Sequence, residues 1–238
     1  MKVDAIIFDK DGTLLDFDAF WVAVTEKAVK SVLDLAEDKI TAVTEVLEAF
    51  GVHNGVTDIE GVLCKGTYTE LGEILHDIMK SHGISKDCDY VAGALRDAYK
   101  KSSGEGEIKP TCEGLANVLS ELKRQGKKLA VVTTDNAEIT TECLKGLGIL
   151  EFFDKIYSDD GKTPTKPDPY CVYDFCETFG VKKESVCMVG DTMTDMNFAK
   201  NAGISAIGIA KNENNAKILE PHAYAVINDP SFIFDVLN

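Results

Sequence analysis

Six short apolar runs, several of them rich in Val and Ile, limit what this 238-residue chain can become. They lie at 3–8, 128–132, 155–157, 185–189, 205–209 and 223–227. Several lack polar alternation, the pattern of strands covered on both faces in a parallel sheet. Between them apolar residues recur at helical spacing. Leu115, Val118, Leu119 and Leu122 form one such stripe. Ile139, Cys143, Leu144 and Leu147 form another, which stops at Gly148. Strand and helix alternating through short connections predict an open α/β sheet.

One interval breaks the alternation. From about 16 to 99 there are helical patterns, over 20–35, 40–50, 68–81 and 90–101, and no convincing strand. This block follows the first strand and precedes the second, so it reads as a helical domain inserted into the sheet domain. Linkers are expected near 14–18 and 102–110, the latter containing the Gly-, Ser- and Pro-bearing SSGEGEIKP, which suits a hinge. The expected division is 1–15 with 103–238 for the sheet domain and 16–102 for the insert.

Charge narrows the partners. The chain carries 25 Lys and Arg against 40 Asp and Glu, a net charge of −15. Nucleic acids and anionic membranes call for basic patches, so neither is an expected partner. Residues 14–107 alone hold 9 basic and 18 acidic residues, read as solvated helix surface. The seven cysteines, at 64, 88, 112, 143, 171, 176 and 187, show no CxxC pair. Buried free thiols in a reducing compartment are expected rather than a disulfide framework. With no signal-peptide pattern and no run of about 18 apolar residues, a cytoplasmic location is expected.

In open α/β sheets, sites form beyond the carboxyl ends of the strands, and here those ends are polar. After the first strand comes FDKDGT, with Asp9 and Asp11 two apart before Gly12. Such close carboxylates either share a cation or form an acidic turn without a role. A calcium loop counted from Asp9 would need Gly at its sixth position and Glu at its twelfth, and finds Leu14 and Phe20. After the second strand, Thr133 ends the run and Thr134 to Asn136 are expected to open a helix, either an anion site or a plain N-cap. After the third, Lys166 precedes Pro167, with Lys162 as a nearby competitor. After the fourth, Asp191 follows Gly190; if a helix begins near Thr192, Asp195 in its first turn reaches the space of Asp191. Acid pair, hydroxyl, amine and acid pair thus follow four consecutive strands in order.

DKDGT, the Thr of VVTTDN, the Lys of TKPDP and GDTMTD, in this order over the whole chain, resemble the haloacid dehalogenase superfamily of phosphotransferases. The insert is similar to the α-helical cap of its phosphoglycolate phosphatase-like branch. The resemblance implies a Rossmann-like parallel sheet core with helices on both faces, an inserted helical cap, and a phosphatase acting on a small phosphorylated metabolite with Mg²⁺. It implies Asp9 as nucleophile, forming an aspartyl-phosphate, and Asp11 as general acid and then base. Thr133 and Lys166 would hold the phosphoryl group, with Gly12 and Thr134 also on the substrate side. Metal ligands would be the Asp9 carboxylate, the Asp11 backbone carbonyl and the Asp191 carboxylate, with Asp195 as a further ligand or a partner behind them. Monomer or homodimer is the expected state.

In the insert, Lys65 of CKGTYTE either meets an acidic leaving group or is a solvated turn lysine. His53, His76 and His82 read as surface or packing residues. Trp21 either closes over substrate or anchors a core. A β-phosphoglucomutase-like transferase is the rival within the family. Those relatives carry a His where this chain has Trp21. A non-catalytic binding protein is the rival from another class, and such members usually lose one of the two acids retained here.

Overall fold

The computed structural model describes residues 1–36 and 41–237. In chain order it contains β1 (Ala5–Phe8), α1 (Ala23–Leu35), α2 (Val43–Ala49), β2 (Val52–His53), β3 (Val56–Thr57), α3 (Val62–Lys65), α4 (Tyr68–Ser81) and α5 (Cys88–Ser102). There follow α6 (Leu115–Arg124), β4 (Lys128–Asn136), α7 (Ala137–Gly146), β5 (Lys155–Asp159), α8 (Tyr170–Phe179), β6 (Val186–Gly190), α9 (Met193–Ala202), β7 (Ser205–Ile209), α10 (Glu213–Leu219), β8 (Ala225–Ile227) and α11 (Ile233–Val236). The chain divides into two compact units, Met1–Asp16 with the chain from Ile108 onward, and Phe17–Glu107.

The first unit is built on a six-stranded sheet of order β5-β4-β1-β6-β7-β8, with every pairing parallel. The six apolar runs are these six strands. Their alternate residues feed two cores, one on each face. Ile6, Phe8, Leu129, Val131, Cys187, Val189 and Ile207 pack with Leu119 and Leu122 of α6 and Leu144 of α7. Ala5, Ile7, Ala130, Val132, Val186 and Met188 pack with Val172 and Phe175 of α8 and Phe198 of α9. Burial on both faces is why the runs show no polar alternation. From β1 the chain moves outward through β4 to β5, then returns to β6 on the other side of β1. The switch point of this doubly wound sheet therefore lies between β1 and β6.

The second unit has its own core, with Phe20, Val24, Ala28, Val32, Leu75, Met79, Val91, Leu95 and Tyr99 all buried. The Tyr99 hydroxyl donates to Thr25 Oγ1 at 2.9 Å. Trp21 is half-buried in an aromatic group, its ring 5.1 Å from Phe20 and 6.4 Å from both Phe17 and Tyr99.

Two expectations for this interval change. Val52–His53 and Val56–Thr57 pair antiparallel, a hairpin where no strand was expected. Asn54 and Gly55 turn it with φ of 53° and 78°, the left-handed pair that tight hairpins favour. Two-residue strands are too short to leave a periodic signal. The helix expected over 20–35 begins as a π-turn, Asp18–Val22, before α1. Asp18 Oδ1 accepts from the backbone N–H and the hydroxyl of Thr57 at 2.9 and 2.6 Å. The helix expected over 40–50 is seen as α2; its start at Ile40 lies outside the described residues. Among the described residues no helix is long and apolar enough to cross a membrane.

Candidate active site

Asp9 is the residue after β1, and its backbone N–H donates to Val189 O of β6 at 2.8 Å. The chain then turns sharply, with the N–H groups of Leu14 and Leu15 both donating to Lys10 O. Gly12 makes the turn at φ 75°. A Cβ there would lie 2.0 Å from Asp191 Oδ2. The glycine is needed both for its left-handed backbone and for the close approach of Asp191.

On the neighbouring strand, β6 ends at Gly190 and α9 opens after Thr192. Thr192 donates through its N–H and hydroxyl to Asp195 Oδ2 at 3.0 and 2.7 Å. This places Asp195 in the first turn, fully buried. A Cβ on Gly190 would lie 2.4 Å from the Asp195 side chain. Lys166 closes the group: its Nζ donates to Asp9 Oδ1 at 2.5 Å and to Asp195 Oδ1 at 2.6 Å. Asn201 of α9 donates to Pro167 O at 2.9 Å and holds the Lys166 loop. Lys162 is exposed.

One carboxylate oxygen from each of Asp9, Asp191 and Asp195 lies within 4.8 Å of the others. The Asp191 Oδ1 is out of reach of solvent and has no hydrogen-bond partner. Asp9 and Asp195 share the Lys166 ammonium and Asp191 adds a third carboxylate, so the cluster is short of positive charge. Burial raises the Asp9 pKa to about 7, Lys166 opposing the rise and Asp195 and Asp11 adding to it. Asp191 is pushed well above the carboxylate range by burial, then by Asp9 and Asp195. Burial works against the Lys166 cation, but Asp195 and Asp9 outweigh it and raise its pKa. Hard oxygen donors, an orphaned buried oxygen and uncompensated negative charge fit a divalent cation such as Mg²⁺.

Thr133 is buried in β4, and its hydroxyl accepts from the Asp135 N–H at 3.1 Å. The helix expected from Thr134 starts later. Strand β4 continues through Asn136 with a register shift against β5 after Val132. α7 opens at Ala137, with Asn136 Oδ1 accepting from the Ile139 N–H at 3.0 Å. Thr134 is therefore an exposed strand residue, and Asn136 rather than a threonine caps the helix. Lys65 belongs to the second unit, where it is exposed and ion-paired with Glu60.

Two residues beside the cluster, Lys10 and Asp135, lie outside the motif positions given a role above. Lys10 is fully buried, and its Nζ is 2.9 Å from both Asp11 oxygens and 3.0 Å from Asp135 Oδ2. Burial disfavours its cation, but Asp11 and Asp135 more than offset that and its pKa rises. Burial also raises Asp135, against the pull of Lys10. The signal available was a cation between two strand-end acids and an acid two residues beyond a strand-end threonine. Strand alternation alone does not say that such a lysine turns inward.

A profile of the haloacid dehalogenase-like hydrolase family matches residues 3–203. A phosphoglycolate phosphatase from Vibrio parahaemolyticus is 27% identical, over 99% of this chain and 93% of its own. A Clostridium perfringens protein provisionally named as the pyrophosphatase PpaX is 27% identical, over 87% of this chain and 84% of its own. A Thermotoga maritima crystal structure, provisionally described as a β-phosphoglucomutase, superposes with a TM-score of 0.70. It is 26% identical and covers 100% of this chain and 98% of that one.

Proposed function

Because the chain belongs to the haloacid dehalogenase-like hydrolases, we propose that it is a Mg²⁺-dependent phosphatase hydrolysing a small phosphorylated metabolite through an aspartyl-phosphate. The observation that carries this reading is the meeting of Asp9, Asp191, Asp195 and Lys166 at the switch point of the sheet. Relatives named as phosphoglycolate phosphatase and pyrophosphatase support a phosphate ester or anhydride as substrate.

The Asp9 carboxylate attacks phosphorus as the bond to the leaving oxygen breaks, which forms the acyl phosphate. Asp11 gives a proton to that oxygen. Water then attacks the aspartyl-phosphate, Asp11 takes its proton, and phosphate and free Asp9 result. Thr133 accepts from Asp135 N–H, which leaves its own hydroxyl proton for a phosphoryl oxygen. Lys166 holds Asp9 in place and offsets phosphoryl charge. Asp195 has one oxygen on Thr192 and the other on Lys166, so its task is to orient the lysine. The Asp9 and Asp191 carboxylates and the Asp11 carbonyl would hold the metal, which supplies charge neutralisation between the anionic nucleophile and the anionic substrate.

The test is a panel of phosphate compounds with Mg²⁺, including 2-phosphoglycolate, inorganic pyrophosphate and a sugar 1-phosphate. Wild type should release phosphate from at least one. Asp9→Ala should lose at least about a thousandfold, the scale of removing a covalent nucleophile. Full activity in Asp9→Ala overturns the assignment. Conversion of the sugar 1-phosphate to its 6-phosphate without phosphate release identifies a mutase instead.

A further inference from the structure

The buried Lys10 is a charged group that the reaction above does not use. Its ammonium lies 2.9 Å from both Asp11 oxygens and 3.0 Å from Asp135 Oδ2, and its side chain is wholly enclosed. Asp135 is fixed in turn. Its Oδ1 accepts from the Asn136 N–H at 2.9 Å, and its own N–H donates to Thr133 Oγ1 at 3.1 Å. A continuous chain therefore runs from Asp11 on the turn after β1, through Lys10 and Asp135, to Thr133 on β4. Burying such a group is a poor route to stability, because a well-packed apolar replacement of the whole set often does as well. What it supplies is direction. An ammonium held at 2.9 Å from both oxygens fixes where that carboxylate sits. Asp135 shares the ammonium, so Lys10 and Asp135 together place no net charge behind Asp11.

We propose that Lys10, braced by Asp135, is a positioning residue that holds the Asp11 carboxylate at the leaving-group side and ties it to the threonine that contacts the phosphoryl group. This rests on the proposed phosphatase reading, and specifically on Asp11 as proton donor. Misplacing a proton donor matters in proportion to how badly the leaving oxygen needs the proton. An alkoxide needs it, whereas p-nitrophenolate departs unaided.

The experiment measures kcat/KM, which reports phosphoryl transfer to Asp9, on an alkyl phosphate and on p-nitrophenyl phosphate. Wild type, Lys10→Met and Asp135→Asn are compared, each checked by circular dichroism and thermal melting. Lys10→Met should lose about 10- to 100-fold more on the alkyl phosphate than on p-nitrophenyl phosphate, a part of the hundredfold or more that general acid catalysis contributes. Asp135→Asn keeps the side-chain shape and should show the same selectivity to a smaller degree. If Lys10→Met does not fold, Asp135→Asn decides. Equal losses on the two substrates, or no loss, overturn the proposal and leave the phosphatase reading standing. Failure of wild type to turn over any phosphate ester would instead sink that reading, and this inference with it.

Discussion

Two lysine–carboxylate pairs of equal length separate the two units of the molecule. Lys30 and Glu26 in the helical unit lie 2.5 Å apart, one helical turn from each other, with side chains 54% and 44% exposed. Lys166 and Asp9 in the sheet unit also lie 2.5 Å apart, but 157 residues separate them and their side chains are 4% and 9% exposed. Lys65 with Glu60 repeats the exposed pattern in the helical unit. Lys10 repeats the buried one in the sheet unit. Distance therefore does not rank these contacts. Water screens the exposed pairs, while a buried pair leaves a stranded charge when one member is removed. The acid surplus also differs in kind. Most of the described acids of the helical unit are exposed, while in the sheet unit Asp9 and Asp195 converge on one lysine.

The largest effect on stability should follow from removing that lysine. Lys166→Met leaves buried carboxylates without their cation and should cost about 3–5 kcal/mol at neutral pH. Urea unfolding in the absence of metal measures it. A cost below about 1 kcal/mol would put the pair in the exposed class and break the comparison.

Next in size is the effect of metal. Mg²⁺ at a hundred times its Kd should stabilise the folded protein by about 2.7 kcal/mol, read as a rise in Tm between chelator and Mg²⁺. Asp191→Asn should lose most of that increment. Without metal, the same variant should melt no lower than wild type. It removes a carboxylate that burial and two acidic neighbours already disfavour and whose Oδ1 has no partner. A variant that keeps the full Mg²⁺ increment would remove Asp191 from the metal site.

Of the residues in these two predictions, Asp191 is legible in the sequence for a geometric reason, whereas Lys166 lies seven residues beyond the end of β5, in a loop where Lys162 competes for the same role. In a doubly wound sheet the residues just past the strand ends face the switch point, so six apolar runs locate Asp9 and Asp191 without any side-chain detail. Asp195 follows from the helix period once α9 is placed. What escaped depends on local competition that no period reports. Strand β4 runs on through Asn136, and it is Asn136, not Thr134, whose side chain caps α7 by accepting from the Ile139 N–H. The Val52–Thr57 hairpin is held by its Asn-Gly turn and by Asp18, not by alternation. Lys10 turns inward because Asp11 and Asp135 meet its ammonium, and the second of these is 125 residues away in sequence.

Between the extremes lies Asp154, at the start of β5. It is half-buried, and it accepts from Lys123 at 2.5 Å, the Leu129 N–H at 2.9 Å and Lys128 at 3.0 Å. Burial alone would raise its pKa, but these donors outweigh burial and lower it. A carboxyl with a depressed folded pKa contributes stability above its unfolded value, near 4, and loses it as pH falls through the folded value. Asp154→Asn should cost about 1 kcal/mol at pH 7 and flatten the loss of Tm on acidification below about pH 4. An acid limb identical to wild type would mean that Asp154 is ionised no more readily in the folded chain than in the unfolded one.

The smallest effect belongs to Lys30→Ala. The lysine pairs with Glu26 along α1, where an exposed i,i+4 pair contributes about 0.3–0.5 kcal/mol and Ala returns a little helix propensity. The net change should stay below about 0.5 kcal/mol and shrink further in 1 M salt, where the Debye length falls to about 3 Å. A loss comparable to that of Lys166→Met would require the Lys30 stem, and not its charge, to pack on the helix, and a Lys30→Met variant would then restore it. Equal 2.5 Å contacts would in that case differ by what their side chains cover, and charge burial would no longer distinguish the two units.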